Sequence, residues 1–189
     1  MSDTAHPVAA SIMAQGHDLW VFGYGSLMWR PGFAYEERVP ALLYGAHRAF
    51  CVSSLRHRGT KEAPGVVLGL DRGGSCHGFA FRVAAAHMRE TLAYLAEREQ
   101  MNRVYHEVMR PLKLADGRRV IALAYLVDRH HPQYIGRLEP EALLALIRQG
   151  HGESGACRDY VLGTLDALDA LGIHDHALSW LRDKVSSPA

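Results

Sequence analysis

Cysteine is scarce: Cys51, Cys76 and Cys157 are odd in number, far apart and never arranged as Cys-x-x-Cys. That pattern argues against a disulfide framework and predicts a reducing, cytoplasmic setting, with each thiol a small buried hydrophobe. An excess of one charge is also lacking, since Lys plus Arg number 21 and Asp plus Glu 20. No broad field invites nucleic acid or an anionic membrane, and neither is expected as a partner. Long apolar runs are missing; Val120–Val127 is among the longest, against the roughly 20 residues of a membrane-spanning helix. The opening MSDTAHPVAASIMAQG has no basic start and carries Asp3 and His6. It reads as a loose tail over residues 1–17 ahead of a domain at 18–185, not as an export signal. The 12 histidines form no His-Glu-x-x-His and no Cys/His ligand cluster, so no metal is expected. His130-His131 and His174-Asp175-His176 read as loop or helix-surface residues.

The first two-thirds of the chain is strands and turns. Expected strands are Leu19–Tyr24, Val39–Tyr44, His47–Ser53, Val66–Leu70, Gly78–Val83, Tyr105–Leu114 and Val120–Val127. Pro31-Gly32, Pro64-Gly65, Gly73-Gly74 and Asp116-Gly117 punctuate them, the last as a hairpin turn. A helix over Ala85–Gln100 interrupts the set. The remainder is helical: Glu141–Gln149 between Pro140 and Gly150, Arg158–Leu171 stopped by Gly172, and Asp175–Val185. Strands first and helices later, without regular alternation, predict one α+β domain around a mostly antiparallel or mixed sheet.

Two features carry chemistry. The apolar strand Leu19-Trp20-Val21-Phe22 runs into Gly23-Tyr24-Gly25-Ser26. Glycines there let main chain approach a ligand, and successive amides can hold an anion or a developing oxyanion. A strand-end turn without a ligand uses glycine in the same way. A dinucleotide loop needs a third glycine at Met28 and a helix directly after, but Pro31-Gly32 follows instead. A nucleophile elbow needs Gly-x-Ser-x-Gly, and Ser26 is out of that frame.

The second feature is a carboxylate on an apolar stripe. Met88, Leu92, Leu95 and Glu99 recur at helical spacing and fall within roughly 60° of arc, while Glu97 points about 160° from Glu99. Burial there disfavours the charged carboxylate and raises its pKa, the condition of a general base. Near the helix end, Glu99 has two other outlets: solvent, or pairing with Arg103.

Together these features resemble the ChaC-like family of glutathione-specific γ-glutamylcyclotransferases. The resemblance runs from about Leu19 to Leu178 through six ordered blocks: VFGYGSLMWRP (Val21–Pro31), GAHRAFC (Gly45–Cys51), HRGTKEAPGVVLGL (His57–Leu70), YLAERE (Tyr94–Glu99), HPQY (His131–Tyr134) and GESGACRDYV (Gly152–Val161). It implies a γ-glutamylcyclotransferase-like fold, a sheet or small barrel with flanking helices, and a lyase that needs no cofactor. Val21, Phe22, Gly23, Tyr24, Gly25 and Ser26 are then the expected binders of the γ-glutamyl group, with Glu99 the proton acceptor. Tyr105 and Tyr160 are further substrate contacts by the same resemblance. Cys157 stands where the family usually has Asn. The expected partner is a small molecule, glutathione or another γ-glutamyl compound. The alternative is a non-catalytic module of cation-transport-regulator type that binds a γ-glutamyl metabolite. Arg56 and Arg58 read as exposed loop residues, and Cys157 has no identifiable base beside it to make it a nucleophile.

Overall fold

The computed structural model describes residues 16–100 and 103–186. Most of the expected N-terminal tail, residues 1–15, lies outside the described residues. The described residues fall into two compact units, one within 16–47 and 72–126, the other within 48–71 and 127–186.

Strands β1 (Leu19–Gly23), β2 (Glu37–Ser54), β3 (Gly65–Val83), β4 (Tyr105–Leu114) and β5 (Arg119–Val127) close a barrel in the order β1-β3-β2-β4-β5. In the first unit β1 lies antiparallel to β3, with Leu19 opposite Val83 and Gly23 opposite Phe79. Its other edge pairs parallel to β5, Trp20 opposite Ala122, which closes the ring and makes it mixed. Ala41 of β2 faces Leu114 of β4 in antiparallel register. The α+β class and the mixed barrel agree with expectation.

Two expected interruptions are absent. Val39–Tyr44 and His47–Ser53 are parts of one strand, β2, and Gly73-Gly74 lies inside β3. Gly45, Gly73 and Gly74 have φ of 82°, 98° and 70°, so the strands bend at these residues without ending. The His47 imidazole meets the Gly73 carbonyl at 2.9 Å at that bend. The Asp116-Gly117 turn does join β4 to β5, with Gly117 at φ 92°.

Helix α1 (Met88–Gln100) follows a 3-10 turn at Ala85–His87. Its periodic residues Met88, Leu92 and Leu95 are buried in one cluster with Leu19, Val21, Leu27, Val83, Leu123 and Tyr125. Each aliphatic side chain so buried contributes about 1.5–3 kcal/mol. The apolar stripe therefore fixes which way the end of α1 turns.

The second unit holds α2 (Pro140–Gln149), α3 (Cys157–Ala170) and α4 (His176–Ser186). Ile147, Val161, Leu165, Leu168, Leu178 and Leu181 supply its buried faces, and Gly172 at φ 70° follows the end of α3. Asp175 has a use the sequence did not disclose. Its Oδ1 accepts the Ala177 amide at 3.2 Å at the head of α4, while Oδ2 meets the buried Arg48 at 2.7 Å. The segment His151–Ala156, between α2 and α3, forms a two-stranded hairpin, β6 (His151–Gly152) with β7 (Gly155–Ala156).

Candidate active site

Strand β1 delivers Val21 and Phe22 fully buried, followed by buried Gly23 and Tyr24. Gly23 is small for a reason: a Cβ there would press on the Phe81 ring at 3.1 Å and on Leu27 at 3.2 Å. Beyond Gly25 the chain tightens into a 3-10 turn at Ser26–Met28, with the Met28 amide donating to Gly25 O at 2.9 Å and the Arg30 amide to Ser26 O at 2.8 Å. The first amides of such a turn have no partner within it. Gly25 and Ser26 are half-buried there.

Glu99 ends the buried stripe as its spacing predicts, with its side chain 17% exposed. Burial raises its pKa, and the neighbouring Arg98 guanidinium opposes that rise. Its ion-pair partner is Arg98, Nε to Oε1 at 3.3 Å, the residue beside it rather than Arg103. Arg103 adopts the left-handed conformation, φ 52°. From β5, Tyr125 lies buried within the electrostatic reach of Glu99 and donates to Glu107 Oε1 at 3.0 Å. Burial, first of all, keeps that phenol protonated.

Arg98 is the residue that sequence reading missed. Its Nη2 donates to Ser26 Oγ at 2.7 Å, and its Nη1 to Arg30 O and Tyr94 Oη, each at 2.7 Å. Tyr94 and Arg98 stand four apart on one helix, and that spacing beside Glu99 was the available signal. Tyr105 opens β4 half-buried against the same cluster that contains Val21 and Leu27. The first unit thus brings together the glycine segment, Glu99, Arg98 and Tyr105.

Tyr160 belongs to the second unit. Its hydroxyl accepts the Leu68 amide at 3.3 Å, its ring meets Phe50 edge-on at 6.3 Å, and the Arg58 guanidinium lies 5.2 Å above the ring. Cys157 is wholly buried, donating to Val66 O at 3.2 Å and accepting the Val66 amide at 3.3 Å. Burial raises its thiol pKa against the opposing pull of that amide and of Arg58. All three cysteines are free and buried, as expected. Arg56 pairs with Glu153 at 2.8 Å with both side chains largely exposed. Arg58 donates to the Ser154 carbonyl.

A family model described as ChaC-like protein matches residues 19–188. The glutathione-specific γ-glutamylcyclotransferase of Escherichia coli (strain K12) is 35% identical over 161 residues, covering 85% of this chain and 70% of that protein. The glutathione-specific γ-glutamylcyclotransferase 1 of Homo sapiens is 34% identical over 175 residues, covering 89% and 79%. Among solved structures, a γ-glutamyl cyclotransferase from yeast, specific to glutathione, aligns with a TM-score of 0.80 at 23% identity, over 89% of this chain and 96% of that one. That likeness shows a shared fold; the family match over residues 19–188 and the sequence identities show that the chain belongs to the ChaC-like family.

Proposed function

We propose that the chain is a γ-glutamylcyclotransferase that cleaves glutathione to 5-oxoproline and Cys-Gly. The observation that carries the mechanism is Glu99: a largely buried carboxylate with a raised pKa, on the helix whose Arg98 holds the glycine-bearing turn. The curated relatives named above, which share the reaction, support the substrate.

In this reaction the α-amine of the γ-glutamyl residue attacks its own side-chain amide carbonyl. A carbon–nitrogen bond forms to close the five-membered lactam, and the amide bond to cysteine breaks. No water is consumed. Nucleophile and electrophile belong to one residue, so holding the folded conformer supplies much of the acceleration, up to about 7–11 kcal/mol for well-oriented groups. Glu99 takes a proton from the substrate ammonium, freeing the lone pair, and returns it to the departing cysteine nitrogen; the second proton, shed by the attacking nitrogen as the lactam forms, passes by way of the same carboxylate to the released amine. A carboxylate made more basic by burial suits both transfers. Amides of the Gly23–Ser26 segment receive the substrate carboxylate or the tetrahedral oxyanion, and Tyr105 contacts the γ-glutamyl group beside them.

No described helix is long and apolar enough to cross a membrane. The test is direct: incubate the purified chain with glutathione, add no metal or nucleotide, and identify products by mass. Equimolar 5-oxoproline and Cys-Gly are expected, with Glu99→Gln folded and nearly inactive. Parallel reactions with γ-glutamyl-alanine and oxidised glutathione define the specificity. Absence of 5-oxoproline from every substrate overturns the proposal and favours a binding module.

A further inference from the structure

One side chain in the first unit makes more directed contacts than its place in the sequence suggests. Arg98 sits one position off the buried stripe of α1, where an arginine ordinarily reaches solvent, yet its side chain is only 22% exposed. All three of its nitrogens are engaged: Nη2 with Ser26 Oγ, Nη1 with Arg30 O and Tyr94 Oη, and Nε with Glu99 Oε1. Two of these acceptors, Ser26 and Arg30, belong to the turn that follows the glycines. That turn is closed internally only by short local bonds such as Arg30 N to Ser26 O. Leu27 of the turn packs in the same apolar cluster as Met88, Leu92 and Leu95, and the guanidinium adds the directed, polar tie to α1.

We propose that Arg98 is the positioning residue of the site: its planar fork locks the Ser26 turn to the last turn of α1 and so fixes the glycine-bearing backbone relative to Glu99. The proposal rests on the reading of Glu99 as the base. A guanidinium presents its donors in fixed directions, so satisfying Ser26 and Arg30 at once sets the plane of the group and the spacing of the two segments. An ammonium at the same place is a point charge and cannot do both. The contact lengths also divide the labour. The bonds to the turn and to Tyr94 are 2.7 Å, whereas the approach to Glu99 is 3.3 Å. The charge tempers the burial of the carboxylate without engaging it as tightly as it engages the turn.

Two variants separate the fork from the charge. The groups around Glu99 are Arg98 on its own helix, Tyr125 from β5, and Glu107 from β4 behind that phenol. Of these, Arg98 is the cation. Arg98→Met removes both contributions, so KM for glutathione rises about tenfold or more and the acid limb of the kcat/KM profile moves to higher pH. Arg98→Lys keeps the charge and loses the fork. Its acid limb returns toward the parent position while KM stays raised. A merely structural arginine lowers thermal stability and moves neither quantity.

Glu99→Gln measured alongside keeps the two readings apart. Continued turnover by Glu99→Gln removes Glu99 as the base. An inactive Glu99→Gln, beside Arg98 variants whose acid limb and KM match the parent, overturns the positioning role alone. If the methionine variant does not fold, Arg98→Lys carries the test through KM: a parental value overturns the proposal.

Discussion

Arg98 Nη2 and Ser26 Oγ lie 2.7 Å apart, which ties the end of one helix to a turn 72 residues earlier in the chain. Helix α1 carries the carboxylate and β1 leads into the glycines, so this bond joins the two chemical features that the sequence offered separately. Neither feature is a site alone. A carboxylate at a helix end has several structural uses, and so has a glycine-rich strand end.

Ser26→Ala removes the acceptor and leaves an arginine nitrogen to find another partner. Loss of a charge-assisted hydrogen bond of this kind costs about 1.5–3 kcal/mol when the donor stays buried and less when water reaches it. The expected outcome is a folded protein whose KM for glutathione rises severalfold, with a smaller change in kcat. Steady-state kinetics measure both. A hydroxyl acting as nucleophile would instead abolish turnover on substitution.

The raised pKa of Glu99 has a consequence for stability with a definite sign. In the folded protein burial favours the protonated acid, so between the ordinary carboxylate value and the raised one the folded state binds more protons than the unfolded chain. Stability contributed by this group therefore falls as pH rises through that window and does not return above it. Glu99→Gln lacks the penalty. Urea titrations at several pH values should show the variant gaining stability relative to the parent as pH rises through and above the ordinary carboxylate range. A constant difference between the two proteins across that series contradicts a strained carboxylate.

What was legible in the sequence follows the range of the interactions. Met88, Leu92, Leu95 and Glu99 declare their shared face because helical periodicity is local, and the buried cluster obeys it. The parallel pairing of Trp20 with Ala122 depends on residues about a hundred positions apart, and no short pattern encodes it. Gly73-Gly74 misled because paired glycines usually end strands, whereas here positive φ bends a strand that continues. Arg98 escaped notice because its partners come from the distant turn, and only their arrival turns an exposed-looking position inward.

Gly32 tests whether the turn and helix depend on close approach. It has φ 76°, and a Cβ added there would overlap the Tyr94 hydroxyl, the group to which Arg98 donates. Gly32→Ala therefore meets two obstacles, a left-handed backbone costing roughly 1–2 kcal/mol and a steric clash that moves Tyr94. A lowered thermal midpoint and a raised KM are expected together. Tyr94→Phe in the same background relieves part of the overlap, so partial recovery of the midpoint identifies the clash as the cause.

The environment of Cys157 predicts a structural thiol. It is fully buried, and both its donor and its acceptor capacity go to the Val66 backbone. Burial raises its pKa, so little thiolate exists at neutral pH. Cys157→Ser preserves both hydrogen bonds with a shorter bond to the hydroxyl and should keep near-parental turnover. Cys157→Ala leaves the Val66 groups without that partner and should cost about 1–3 kcal/mol in unfolding experiments. Iodoacetamide at pH 7 should react slowly with the native protein and quickly after denaturation, as mass spectrometry of the labelled peptide will read. Rapid native labelling with loss of 5-oxoproline formation would instead assign this sulfur to the chemistry.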